Sequence, residues 1–416
     1  MKHKIISTYH HSFAGGSKNT SRLLNYLSNN GCTVDAYFFE TPQFFSYTES
    51  NIVNHTIDSQ NINSEVIDTT IIKNYSAANQ IIEDLRDKKD YILFGANLFP
   101  YCNILHDVKS QIVNLTGVNP KLIIHPVGSD LWQIGPQIKS RVKWLLDNPL
   151  VDTILTYSNC FVNEIKDYYN IEKEIHVLPP VIEKERFYPI SKAEIIERKI
   201  QLGFDEEDFI IHHHSSMRKI KSPETILDIS MKVSQLTSRK CILIMAGPIP
   251  QNEIKLLNIS LTSLSENSYF KYKSQWKNLI ILWTGIESSV QYLLQISDVE
   301  LNTSLHDSFN LSLMEAMACG IPVVTSDVVG IKEHILLANA GFCFPTTKLS
   351  FDDLNVAIQN DASKNIFFDI DYAVNAVLSL AHKNSITANM GENGAKYALN
   401  KFSFENASKE FHKHLC

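Results

Sequence analysis

At 416 residues the chain is long enough for two or three domains, each with its own core. Its 44% hydrophobic and 20% charged residues are ordinary for a globular protein, and a net charge of −7 argues against nonspecific nucleic-acid binding. Seven scattered cysteines with no C-x-x-C pair fit reduced thiols better than a zinc or disulfide framework. Met1-Lys-His-Lys leads straight into an apolar run without a signal region, and no run of eighteen apolar residues follows. The expected setting is the cytoplasm, with any membrane contact peripheral at its inner face.

Strand and helix patterns then alternate, the signature of a parallel sheet covered by helices. Apolar β-runs are predicted at 5–9, 34–39, 91–95, 122–127, 153–157 and 175–178. Residues 42–64 are polar and read only as a loop or lid. Pro179, Pro180 and Pro189 frame a rigid linker. A second series of β-runs follows at 209–213, 241–246, 279–284, 299–302, 322–326 and 341–344, interrupted by a polar stretch, 250–277, that reads as a helix with loops. The fold class is therefore α/β, with two Rossmann-like domains at roughly 1–180 and 190–395.

Gly15 and Gly16 follow the first β-run and would let a ligand approach the backbone, although an ordinary strand-to-helix turn fits the same residues. A dinucleotide site would need G-x-G-x-x-G; Glu40 could mimic its ribose-binding acid, but the third glycine is missing. The fourth run ends in His125-Pro-Val-Gly128-Ser129-Asp130, whose last three residues could line a ligand site. Asp130 could orient a hydroxyl or cap the next helix. Residues 138–146 have a basic and an apolar side; a packed helix is favoured over a membrane-surface helix, because three cations are few.

His212, His213 and His214 invite a metal, but at most two of them share a strand face and no acid is near in sequence, so packed histidines are expected and no metal. The turn behind them carries Arg218 and Lys221 just before a helix. Gly247 and Gly285 end two β-runs, where open α/β sheets bind ligands and a base could lie on the backbone. Asp369-Ile-Asp371 reads as a helix start.

The richest stretch is Asp307-Ser-Phe-Asn-Leu-Ser-Leu-Met-Glu315-Ala-Met-Ala-Cys-Gly320-Ile-Pro322-Val. Phe309, Asn310 and Leu311 would form the first turn of a helix, whose unpartnered N–H groups suit a phosphate. Glu315 lies deeper on the same side, where a carboxylate can take two hydroxyl hydrogen bonds. A phosphate flanked by two polyol-binding acids describes a nucleotide sugar.

This stretch resembles the signature of the retaining, nucleotide-sugar-dependent glycosyltransferases of the GT-B fold, the group often called family four. Their usual first Glu is Asp307 here, and their usual Gly is Asn310, a residue that tolerates left-handed backbone angles. The resemblance implies two Rossmann-like domains facing each other across a cleft, with the C-terminal helix (400–416) packing back on the first. That domain would take the acceptor and the second the donor. It further implies that Glu315 binds ribose hydroxyls, that Asp307 binds the donor sugar, and that an Arg and a Lys hold the diphosphate. The form Arg-x-x-Lys resembles the subgroup that makes glucosaminyl-malate, which selects Arg218 and Lys221 over Lys219. Val127 stands where relatives carry a donor-binding His.

The implied activity is metal-independent transfer of a sugar, with retention, from a UDP-sugar to a hydroxyl acceptor in cell-surface glycan or glycoconjugate synthesis, with no cofactor. The alternatives are a GT-B module that binds a nucleotide sugar without transfer, or another GT-B enzyme such as an epimerase.

Overall fold

The computed structural model describes residues 4–8, 15–38, 52–56, 78–132, 136–248, 262–264, 269–285, 289–359, 364–382 and 385–415. The chain divides into two compact units, one of residues 1–181 with 404–416 and one of 182–403.

The first unit holds a parallel sheet of β1 (Lys4–Thr8), β2 (Thr33–Phe38), β3 (Ile52–Thr56), β4 (Tyr91–Ala96), β5 (Lys121–His125), β6 (Thr153–Thr156) and β7 (Ile175–Val177). Its order is β3-β2-β1-β4-β5-β6-β7. Strands such as Tyr91–Ala96 are buried at every position, as expected where helices cover both faces of a parallel sheet. β3 corrects the sequence reading: residues 52–56 extend the sheet by pairing with β2, although the alternating Ile52-Val-Asn-His-Thr lies in a stretch that looked like loop throughout. The helix Phe404–His412 belongs to this unit: Phe404 stacks on Tyr26 at 4.8 Å, and Phe411 meets Phe94 edge-on at 5.1 Å.

The helix Pro136–Asp147 behaves as a packed helix. Lys143 donates to the carbonyls of Tyr169 and Asn170, Arg141 donates to Asn103, and Lys139 lies over the Tyr168 ring. Its cations thus have protein partners. Among the described residues no helix is long and apolar enough to cross a membrane.

The second unit holds β8 (Phe209–His214), β9 (Cys241–Ala246), β10 (Thr262–Ser263), β11 (Tyr272–Trp276), β12 (Leu279–Gly285), β13 (Val299–Asn302), β14 (Val323–Ser326) and β15 (Gly341–Phe344). The order is β10-β11-β12-β9-β8-β13-β14-β15. β10 and β11 form an antiparallel edge on an otherwise parallel sheet. This is the second correction. The described part of 250–277 pairs as strands, because Tyr272–Trp276 folds back on β12 as a hairpin arm whose polar residues alternate outward. Glu40, Ile286 and most of 42–64 and 250–261 lie outside the described residues.

Local signals agree with these elements. Ser191 and Glu194 form a capping box at Lys192–Gln201, Pro223 opens the helix Pro223–Leu236, and Asp369 caps Ile370–Ala381 through Tyr372 N–H. Strand order reverses between β1 and β4 in one sheet and between β8 and β13 in the other. In open α/β sheets, ligands bind outside the carboxyl ends of strands at such switch points.

Candidate functional site

The carboxyl ends of β8 and β13 set the site in the second unit. His213 Nδ1 donates to Leu301 O at 2.8 Å, because a carbonyl can only accept. Its Nε2 is then the acceptor for the Ser215 hydroxyl at 2.9 Å, and Ser215 Oγ in turn accepts Met217 N–H at 3.1 Å. Burial depresses His213 to about 4, consistent with a neutral ring. This side chain thereby ties the strand end to the turn that carries Arg218 and Lys221.

Gly247 is required beside that turn. Its φ is +154°, and a Cβ there would lie 2.0 Å from Ser215 O. Its carbonyl accepts the Trp283 indole N–H at 3.1 Å, and its N–H donates to Gly285 O at 2.9 Å. The two glycines expected to meet a base are thus hydrogen-bonded to each other at the ends of β9 and β12.

The loop after β13 is fastened to the same turn. Thr303 Oγ1 reaches the carbonyls of Lys221 and Ser222, and Leu305 N–H donates to Ile220 O. These bonds place Lys221 Nζ against Asp307 Oδ2 in a short ion pair, both side chains mostly buried. Burial alone would raise Asp307, but Lys221 and the Phe309 N–H outweigh it and hold the carboxyl below its usual range. Arg218 is exposed and donates from Nε to Ser216 Oγ, while Lys221 is held at the switch point by its pairing with Asp307.

The helix Leu311–Ala318 begins one to two residues later than the sequence suggested. Asn310 is its N-cap, at φ +83°, and its Oδ1 accepts Leu313 N–H. Asn suits both tasks: it tolerates left-handed angles and carries a short acceptor. Phe309 is not in the first turn. Its ring packs edge-on against Phe402 at 5.4 Å, and its N–H is taken by Asp307 Oδ1 at 3.2 Å. The first-turn N–H groups of Leu311 and Ser312 are therefore the ones that lack intrahelical acceptors by position.

Glu315, on the second turn of this helix, is buried. His214 Nε2 lies 3.0 Å from its Oε2. Behind His214 stands Glu300 of β13, fully buried, with Oε2 2.5 Å from His212 Nδ1. Glu300 Oε1 accepts the His214 N–H at 3.2 Å and lies 3.6 Å from His214 Nδ1, an ionic rather than hydrogen-bonded approach. Burial opposes charge on His214, yet its interactions with Glu300 and Glu315 raise it to about 9. Burial likewise works against the Glu300 carboxylate, but His212 and His214 hold it down at about 2. A histidine raised in this way adds stability that is complete below its unfolded pKa, about 6.5, and is lost as pH rises towards 9.

The histidines are packed, as expected, but their acidic partners come from far along the chain. Glu300 was missed. The available signal was a lone acid inside the buried run Val299-Glu-Leu-Asn, which must find a partner. Ligand atoms of His212, His214 and Glu300 lie within 4.8 Å of one another, the one such grouping among the described residues.

The first-unit residues serve different ends. Gly15 and Gly16 open the helix Gly15–Asn29 itself instead of forming a separate loop. Gly128, at φ +142°, donates to Asp130 Oδ1 at 2.7 Å. Val127 N–H donates to the same carboxylate at 3.1 Å, and Leu98 N–H reaches Oδ2 at 2.9 Å. Asp130 thus stitches the turn after β5 to the end of β4. Ser129 opens the short helix Ser129–Trp132. His125 is buried between the rings of Phe94 and Tyr157, and burial depresses it to about 3. Asp130→Ala should lower unfolding stability by about 2–4 kcal/mol, because it orphans three amides. Urea denaturation measures this; unchanged stability would show that the three amides find other acceptors.

Residues 194–362 match the family model described as glycosyl transferases group 1. N-acetyl-alpha-D-glucosaminyl L-malate synthase of Bacillus anthracis is 25% identical over 230 residues, 55% of each chain. The putative glycosyltransferase EpsF of Bacillus subtilis is 26% identical over 210 residues, 48% of this chain and 50% of its own. The matches span about half the length of these curated relatives. Anabaena HepE, solved in complex with UDP and glucose, superposes with a TM-score of 0.68 at 16% identity, over 99% of both chains. Sucrose-phosphate synthase from Thermosynechococcus elongatus gives 0.70 at 14% identity, over 99% of this chain and 98% of its own. Residues 194–362 are thus similar to the group 1 glycosyltransferases, and the two Rossmann-like units have the GT-B fold.

Proposed function

We propose that the protein transfers a sugar from a nucleoside-diphosphate sugar to a hydroxyl acceptor, with retention of anomeric configuration and without a metal. The observation that carries this reading is the convergence of Lys221, Asp307 and Glu315 at one switch point, beside the start of the helix Leu311–Ala318. Glu315 would take the ribose hydroxyls. The Leu311 and Ser312 amides would meet the phosphates with Lys221, and Arg218 would close on them from the turn. As the glycosyl bond breaks, negative charge grows on the β-phosphate, and a cation fixed there stabilises it. A UDP-sugar is the favoured donor, supported by the UDP-bound structure of HepE, and a cell-surface glycan or glycoconjugate the favoured product.

The test is thermal unfolding with UDP, ADP and GDP and their glucose and N-acetylglucosamine conjugates, followed by transfer assays with and without EDTA. A ligand at a hundred times its dissociation constant adds about 2.7 kcal/mol. UDP compounds should raise the melting temperature, and transfer should survive EDTA with an α-linked product. A nucleotide shift with no transfer to any acceptor would favour a binding module, and no shift at all would end the donor reading.

A further inference from the structure

Glu315 does not reach its position alone. A carboxylate this buried needs a compensating charge or a set of donors. A cation-forming group in contact with it is His214, and His214 is itself held from the other side by a fully buried acid on a neighbouring strand. The chain is thus arranged as His212, Glu300, His214 and Glu315 in sequence, crossing from β8 to β13, back to β8 and out to the helix Leu311–Ala318. Burying two acids and two histidines is costly, and the same volume filled with apolar side chains would cost less. What the polar arrangement adds is a fixed orientation for the one member that stands beside the switch-point helix.

We propose that His214, anchored by Glu300, is a positioning residue for nucleotide binding that fixes the Glu315 carboxylate and balances its charge. This rests on the reading of Glu315 as the ribose-binding acid. The ionisable groups around His214 are Glu300 on β13, Glu315 on the helix, and His212 and His213 on its own strand. Burial pushes His212 and His213 down, whereas Glu300 and Glu315 together raise His214 to about 9. Nucleotide affinity should then hold through neutral pH and weaken as pH climbs towards 9, where His214 loses its proton.

The experiment titrates UDP, ADP and GDP by calorimetry into wild type, His214→Gln, His214→Ala and Glu315→Ala, from pH 6.5 to 9.5. His214→Gln retains an N–H donor towards Glu315 but no titratable charge, which keeps the test sound if the alanine variant folds poorly. The tightest nucleotide should bind His214→Ala roughly ten- to a hundred-fold more weakly, the scale of a hydrogen bond to a charged group. His214→Gln should recover part of that loss and show a flat alkaline profile. Wild-type affinity in both His214 variants, with binding lost in Glu315→Ala, would overturn the positioning role and leave the donor reading standing. Wild-type affinity in Glu315→Ala as well would remove the donor reading itself. An alkaline loss that persists in His214→Gln would assign the titration to another group and also overturn the proposal.

Discussion

Lys221→Ala should slow sugar transfer by about a hundred- to a thousand-fold, the range seen when one preorganised donor to a developing charge is removed. Lys221 is not a mobile surface lysine. The backbone on either side of it is bound to the β13 loop through Thr303 and Leu305, and its ammonium is paired with Asp307. A cation held in this way needs little reorganisation as charge develops on the leaving phosphate. Its removal also leaves Asp307 without its ion-pair partner, which should cost about 1–3 kcal/mol of stability, so the variant must be assayed well below its melting temperature. Asp307→Asn separates the two effects. It frees Lys221 while keeping a side chain of the same shape, so it should retain nucleotide binding and lose specificity for the sugar. Single-turnover release of nucleotide from the donor measures the chemical step. Transfer by Lys221→Ala within three-fold of wild type would sink the assignment.

Glu315→Ala should weaken nucleotide binding by about a hundred-fold, since two hydroxyl hydrogen bonds to a carboxylate disappear together. The thermal shift given by saturating nucleotide should shrink with it. A second readout comes from pH. Glu315 is one of the two acids that raise His214, so its loss should lower the His214 pKa towards the ordinary 6.5. The stability that wild type loses between about pH 6.5 and 9 should then diminish in the variant. Urea unfolding at pH 6.5 and 9 shows whether it does. If the two proteins lose the same stability over that interval, the link between Glu315 and His214 is wrong.

Much of the architecture could be read along the chain because parallel strands buried on both faces are continuous apolar runs. Cys241–Ala246 and Gly341–Phe344 agree with the sequence reading at both ends. Asn310 was legible for a local reason: few residues accept its backbone angles, and one of them stands there. The edges were not legible. β3 and the β10–β11 hairpin are short and polar, and they are strands only because a neighbour offers its backbone.

The site shows the same division. Residue types and spacing along 307–327 specify a helix with acids at its mouth and second turn, because those are properties of adjacent residues. The sequence by itself determined that much, together with the alternation that makes two sheets. Only the tertiary structure decided the pairing of Lys221 with Asp307, 86 residues apart, and of His214 with Glu315, 101 apart. It also made Asp130 a stitch between loops and buried the Phe309 ring. The physical reason is that a charged side chain declares its chemistry in the sequence but not its partner. The partner is chosen by strand order, and the reversal between β8 and β13 brings these groups together.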